Sequence, residues 1–239
     1  MILPGGRTHN CAHRGASGQA PENTLSALAR AVALGADLAE IDVRLTADGQ
    51  LAVIHDATLE RTTTGSGRVA QHTLAELQAL DAGAWFGPQW RGERVPALDD
   101  VLAFARGRLP LNLELKPDGR PQQLLDEALR ALERHDAAGH CLVTSFDADL
   151  IDELKARAPT LVAGYIFEAG ELPGWAFSAK VDVLSAEHTL VDAAFCEFAT
   201  AAGKAVHVWT VDDPAAMRRF ADLGVDVVIT NHPERWPGR

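Results

Sequence analysis

The stretch from His13 to Asp56 gathers histidines, acids and arginines at the ends of short apolar runs. His13-Arg14-Gly15 opens it, Glu40-Ile41-Asp42-Val43-Arg44 forms its centre and His55-Asp56 closes it. A second cluster, Glu114-Leu115-Lys116, follows downstream. Side chains alternate along a strand, so Glu40, Asp42 and Arg44 share one face while Ile41 and Val43 take the other. Asn112, Glu114 and Lys116 repeat the pattern, with Leu111, Leu113 and Leu115 opposite.

If Glu40, Asp42 and Glu114 converge, their charges must be compensated. Two carboxylates about 4 Å apart repel by about 4 kcal/mol at an effective dielectric near 20. One answer is a divalent cation; an all-oxygen set without paired cysteines selects a hard ion, Mg²⁺ or Ca²⁺, over zinc. The other is a salt-bridge network through Arg44 and Lys116. His13 and His55 end different strands and can face each other across a cleft mouth. On opposite sides of a bound phosphate they suit general acid–base work, each group contributing about 10²–10⁴ in rate. Arg14 suits the fork geometry of phosphate oxygens, its alternative being a surface charge. Trp209, in Val208-Trp209-Thr210, would point its ring at the same mouth. The remaining histidines, His9 and His72 among them, sit at element ends or in loops, where solvation is expected; His207 shares strand parity with Trp209 and reads as packing inside the fold.

These groups need strand ends pointing into one cleft. Short apolar runs alternate with amphipathic stretches, the mark of a parallel α/β fold. Eight runs, near residues 10, 40, 111, 142, 163, 182, 206 and 227, are barrel-strand candidates. Helices are expected after Thr24, after Asp99, and over 122–134, 149–157, 191–202 and 214–223, with a weakly periodic stretch between 166 and 179. This count fits a TIM (β/α)8 barrel, whose active groups lie at the C-terminal strand ends. An open doubly wound sheet is the runner-up, but no Gly-x-Gly-x-x-Gly loop follows the first run. Residues 57–95 break the alternation after the second barrel strand and read as a small cap insertion within one domain. They carry a capping box at Thr73-Leu74-Ala75-Glu76 and the aromatics Trp85, Phe86 and Trp90, which either wall the cleft or pack among themselves.

The chain has 239 residues, 47% of them apolar, enough for one sizeable core. Its net charge of −11 lacks the basic footprint of a nucleic-acid binder and requires any phosphate site to be locally positive. No apolar run of membrane-spanning length appears, and the first ten residues lack a signal-peptide core. Cys11, Cys141 and Cys196 are distant, odd in number and set among apolar residues, so buried free thiols of a cytoplasmic protein are expected.

The ordered motifs resemble the glycerophosphodiester phosphodiesterases, relatives of the phosphatidylinositol-specific phospholipases C. The likeness rests on His13-Arg14-Gly15, Pro21-Glu22-Asn23-Thr24, Gly35-Ala36-Asp37, Glu40-x-Asp42-Val43, Thr46-x-Asp48-Gly49, His55-Asp56, Arg61-Thr62-Thr63, Glu114-x-Lys116, Ser145-Phe146-Asp147 and Val208-Trp209-Thr210-Val211. It implies a divalent ion on Glu40, Asp42 and Glu114, His13 and His55 as the acid–base pair, and Arg14 and Lys116 near the phosphate. The implied reaction releases sn-glycerol 3-phosphate and an alcohol from a small glycerophosphodiester, with no nucleic acid and no stable membrane insertion. Two positions depart from the family pattern: Asp212 stands where Asn is often found, and Asn231 where Asp is common. Two other readings are a lysophospholipase D-type activity, which needs an apolar groove, and a non-catalytic phosphodiester-binding barrel, which would have lost His13 or His55.

Overall fold

The computed structural model describes residues 6–168 and 180–237. Nine strands form one sheet: β1 (His9–Ala12), β2 (Leu38–Leu45), β3 (Leu51–Val53), β4 (Leu111–Leu115), β5 (Cys141–Ser145), β6 (Val162–Phe167), β7 (Val183–Glu187), β8 (Ala205–Trp209) and β9 (Val227–Thr230). All but β3 are parallel to their neighbours, and pairing of β1 with both β2 and β9 closes the eight-stranded barrel. Strand β3 folds back antiparallel on β2, placing Val53 opposite Val43. Seven helices, α1 (Leu25–Ala33), α2 (Leu74–Gln78), α3 (Leu98–Ala105), α4 (Pro121–Arg134), α5 (Ala148–Arg157), α6 (Ala193–Ala201) and α7 (Pro214–Asp222), are described. The weakly periodic stretch before β7 lies largely outside the described residues.

Local chemistry sets the helix starts. Thr24, Asp147, Asp192 and Asp213 cap α1, α5, α6 and α7, each side chain accepting a backbone N–H from the first turn. Thr73 and Glu76 form the expected capping box on α2. Helix α3 begins at Leu98 rather than after Asp99, because the Asp100 carboxylate accepts the Ala97 N–H from inside the first turn.

Two apolar layers hold the strands. Ile41, Val43, Leu111, Leu113 and Leu115 face outward into the main core beneath the helices. Cys11, Leu38, Leu142, Val183, Ala205, Val227 and Ile229 fill the barrel interior. His207 is buried there as expected, but so is His9, at 1% exposure. Strand β1 starts one residue earlier than the apolar run suggests, and its register sets His9 beside Val227, which also pairs with His207. All three cysteines are buried and unpaired. None of the described helices is long and apolar enough to cross a membrane.

Between β3 and α3 the chain builds a small aliphatic cluster of its own, from Ala52, Ile54, Leu59, Val69, Leu77, Ala82 and Val95. Phe86 makes edge contacts with Trp85 and Trp90 at centroid distances of 5.5 and 6.3 Å. The three rings pack on one another, and none lines the cleft described below.

Candidate active site

The C-terminal strand ends open into a cleft of about 250 Å³. His13, Arg14, Glu40, His55, Asn112, Glu114, Lys116 and Trp209 all line it. Asp42 is buried directly behind Arg14 and Lys116. The structure therefore brings His13, Arg14, Glu40, Asp42, His55, Glu114, Lys116 and Trp209 to one place.

The acids sit where strand pairing puts them. In the β2–β4 register, Glu40 lies opposite Asn112 and Asp42 opposite Glu114. Glu40, Asp42 and Glu114 each offer an oxygen within 4.8 Å of the others. Glu40 Oε1 and Asp42 Oδ1 are buried without a hydrogen bond. Unsatisfied buried carboxylate oxygens are costly, so this all-oxygen donor set fits a hard divalent cation. Burial first, and then Asp42 and Glu114, raise the Glu40 pKa; burial and Asp42 raise that of Glu114. Burial also opposes ionisation of Asp42, but Lys116, Arg14 and His55 outweigh it and hold its carboxyl below the usual range.

The protein supplies part of the compensation itself. Lys116 pairs with Glu114 and stands 3.3 Å from Asp42 Oδ1, in ion-pair range but off the hydrogen-bond direction. Arg14 Nε lies 3.3 Å from Asp42 Oδ2, and its backbone N–H donates to Glu40 Oε2 at 2.9 Å. Arg14 thus belongs to the site rather than to the surface. Arg44 takes no part in a salt-bridge network with the acids; its Nε donates to the His55 carbonyl at 2.7 Å, fixing the segment that presents His55.

The loop after β1 bends sharply to deliver these contacts. Arg14 and Gly15 have φ of 54° and 77°. A Cβ on Gly15 would stand 2.7 Å from the Ala27 backbone, so helix α1 packs this close only against glycine. Asn23, also at positive φ, donates to Asp42 Oδ2 at 2.8 Å and accepts the Asp42 N–H at 3.1 Å.

Each histidine is held by its Nδ1. His13 Nδ1 is 2.7 Å from Asn231 Oδ1, and its Nε2 is 3.8 Å from Glu40 Oε2. His55 Nδ1 is 2.6 Å from Asp56 Oδ1. Burial, reinforced by Arg14, lowers the His13 pKa to about 4; burial also lowers that of His55. Both rings are therefore neutral near pH 7, able to take a proton and return it. Trp209 donates its indole N–H to the Ser185 carbonyl at 3.2 Å and meets Phe146 edge-on at 5.8 Å, giving the cleft an aromatic wall.

Sequence reasoning overlooked the residues that position these groups. Glu22 accepts from Arg14 at 2.8 Å, and Arg61 bridges Glu22 and Asp56. Their motifs read as a helix start and a loop, since contacts across dozens of residues leave no periodic trace. Phe146 and Glu168, which also line the cleft, carry no spacing signal either.

Comparison with known proteins agrees with this geometry. The family model described as the glycerophosphoryl diester phosphodiesterase family matches residues 13–235. A glycerophosphodiester phosphodiesterase of Caldanaerobacter subterraneus subsp. tengcongensis is 36% identical over 227 residues, covering 93% of each chain. One from Bacillus subtilis is 32% identical over 253 residues, covering 98% of this chain and 86% of the relative. Among solved structures, an Oleispira antarctica phosphodiesterase in complex with the product sn-glycerol-3-phosphate superposes with a TM-score of 0.90 at 32% identity, over 96% of this chain and 95% of that one. A glycerophosphodiester phosphodiesterase from Agrobacterium tumefaciens gives 0.83 at 31% identity, over 96% and 98%. With matches running the length of the barrel and through every strand end that lines the cleft, the chain belongs to the glycerophosphoryl diester phosphodiesterase family.

Proposed function

We propose that this protein hydrolyses glycerophosphodiesters to sn-glycerol 3-phosphate and an alcohol. In this reading Glu40, Asp42 and Glu114 hold Mg²⁺ or Ca²⁺, His13 and His55 exchange protons, and Arg14, Lys116 and Trp209 bind substrate. The reading extends to one barrel domain carrying residues 57–95 as an insertion. The observation that carries it is the buried three-carboxylate cluster, with two orphaned oxygens, on a cleft flanked by two neutral histidines and two cations. The bound product of the Oleispira antarctica relative supports the substrate class.

The chemistry follows from where these groups stand. Lys116 and Arg14 give an otherwise acidic chain a local positive site for the phosphate. The phosphodiester then lies between His13 and His55. One histidine takes the proton of the glycerol 2-hydroxyl as it attacks phosphorus; the other, which takes up a proton once the phosphodiester anion is bound beside it, gives that proton to the departing alkoxide. Water opens the resulting cyclic phosphate with the proton roles reversed. A bound divalent cation would supply charge stabilisation on the phosphoryl oxygens and lower the pKa of the attacking hydroxyl. The Trp209 ring packs on the glycerol carbons, leaving the alcohol half toward the open mouth.

His13→Ala and His55→Ala test the assignment. Each should abolish turnover while the circular-dichroism spectrum and melting temperature stay near wild type. Wild-type turnover in either variant removes that histidine from the chemistry.

A further inference from the structure

Behind His13 lies a second layer of polar groups that the proposed chemistry does not use. Asn231 follows β9 and Asp212 lies just beyond β8. Asp212 Oδ1 accepts the Asn231 backbone N–H at 2.8 Å and the Thr230 hydroxyl at 2.9 Å. Asp212 Oδ2 accepts Asn231 Nδ2 at 2.8 Å. The other end of the Asn231 amide, Oδ1, faces His13 Nδ1 at 2.7 Å and the Ser17 hydroxyl at 2.9 Å.

Donor and acceptor roles in this chain admit one consistent solution. An ionised carboxylate only accepts hydrogen bonds, and an amide has one donating and one accepting end. Burial opposes ionisation of Asp212, but the Asn231 and Thr230 hydrogen bonds outweigh it and keep its carboxyl below the usual range. Turning the Asn231 amide over would set its oxygen against that carboxylate. Its NH₂ therefore faces Asp212 and its oxygen faces His13, so His13 must donate from Nδ1. The lone pair of His13 is then on Nε2, the ring atom that faces Glu40 and the cleft.

We propose that Asp212 and Asn231 are a positioning pair that holds His13 as its Nδ1–H tautomer, making Nε2 the atom that exchanges a proton with substrate. The proposal rests on the proposed acid–base role of His13. The pair needs one amide and one carboxylate; exchanging them keeps the mutual hydrogen bonds, whereas either change alone leaves two acceptors or two amides facing each other. In this chain a neutral amide, rather than a charge, lies directly on His13.

The tautomer can be read without any turnover. Uniformly ¹⁵N-labelled protein at about pH 8, above the ordinary histidine pKa, should give the Nδ1–H pattern in two-bond ¹H–¹⁵N correlations. The His13 signals are identified by their loss in His13→Gln. In Asp212→Asn the Asn231 amide is free to turn, so His13 should show both tautomers, and kcat should fall about 10-fold or more with KM nearly unchanged. The double variant Asp212→Asn, Asn231→Asp should restore the single tautomer and kcat. An Nε2–H pattern in the wild type, or an unaltered His13 spectrum in Asp212→Asn, overturns the proposal. If Asp212→Asn does not fold, the wild-type and double-variant spectra decide. The expected tautomer in a protein that cleaves no phosphodiester would uphold the pair and sink the proposed function instead.

Discussion

Arg61 and Glu22 are joined by two parallel hydrogen bonds, Nη1 to Oε2 and Nη2 to Oε1, each 2.8 Å. The same guanidinium donates to both oxygens of Asp56, at 2.6 and 3.0 Å. Glu22 in turn holds Arg14, and Asp56 holds His55. One residue at the start of the insertion thus steadies Arg14, proposed to bind phosphate, through Glu22, and His55, proposed to transfer protons, through Asp56. It also keeps Asp56 strongly ionised, the Arg61 hydrogen bonds being the largest cause of its lowered pKa.

Because Arg61 is well exposed, with 43% of its side chain open to solvent, its ion pairs add little to global stability. Arg61→Ala should lower kcat by about 10-fold or more through misplacement of His55 and Arg14, with little change in melting temperature. Arg61→Lys should fail to restore it, since an ammonium cannot fork onto two carboxylates. Steady-state kinetics checks both, and full activity in Arg61→Ala would show the bridge to be incidental.

Glu114→Gln should weaken divalent-ion binding, measured by titration calorimetry on EDTA-treated protein. The substitution keeps the shape and removes one of three buried charges. Unchanged affinity would take Glu114 out of the ion site.

Trp209→Ala should raise KM more than it lowers kcat. The ring is anchored by Ser185 and Phe146. A pure kcat loss would place the ring in the transition state instead of on the ground-state glycerol.

His207 should make the fold acid-sensitive. Burial, with His9 nearby, lowers its pKa to about 3, and its Nδ1 has no hydrogen bond. Below the ordinary value near 6.5, the unfolded chain binds a proton that the folded chain refuses. Stability therefore falls as pH drops from about 6.5 toward 3, by about 1.4 kcal/mol per pH unit from this group. His207→Gln should flatten the slope by about that amount in urea unfolding between pH 6 and 4. Parallel slopes would contradict the assignment.

The barrel is legible because each strand is a short apolar run with polar residues at its end; period-two spacing sets Glu40 with Asp42 on one strand face and Glu114 with Asn112 on another, and the barrel reading turns both toward one cleft. Caps at Thr24 and Thr73 were equally local. What was hidden depends on contacts between distant segments. Arg44 looked like a partner for the acids because it shares their strand face, yet β3 returns alongside and offers it the His55 carbonyl. His9 looked like a loop residue because a polar side chain preceded the apolar run, and only the pairing with β9 shows that it is buried. The Asp212–Asn231 pair spans two strand ends and becomes visible only when both sit behind His13.

The most direct test of the account is release of sn-glycerol 3-phosphate from glycerophosphocholine by EDTA-stripped protein, with and without added Mg²⁺ or Ca²⁺, beside a His55→Ala control. The account predicts negligible release by stripped protein, release restored by one or both ions, and none from the control under any condition. Full release by stripped protein, or equal release by His55→Ala, would contradict the cation-assisted two-histidine mechanism.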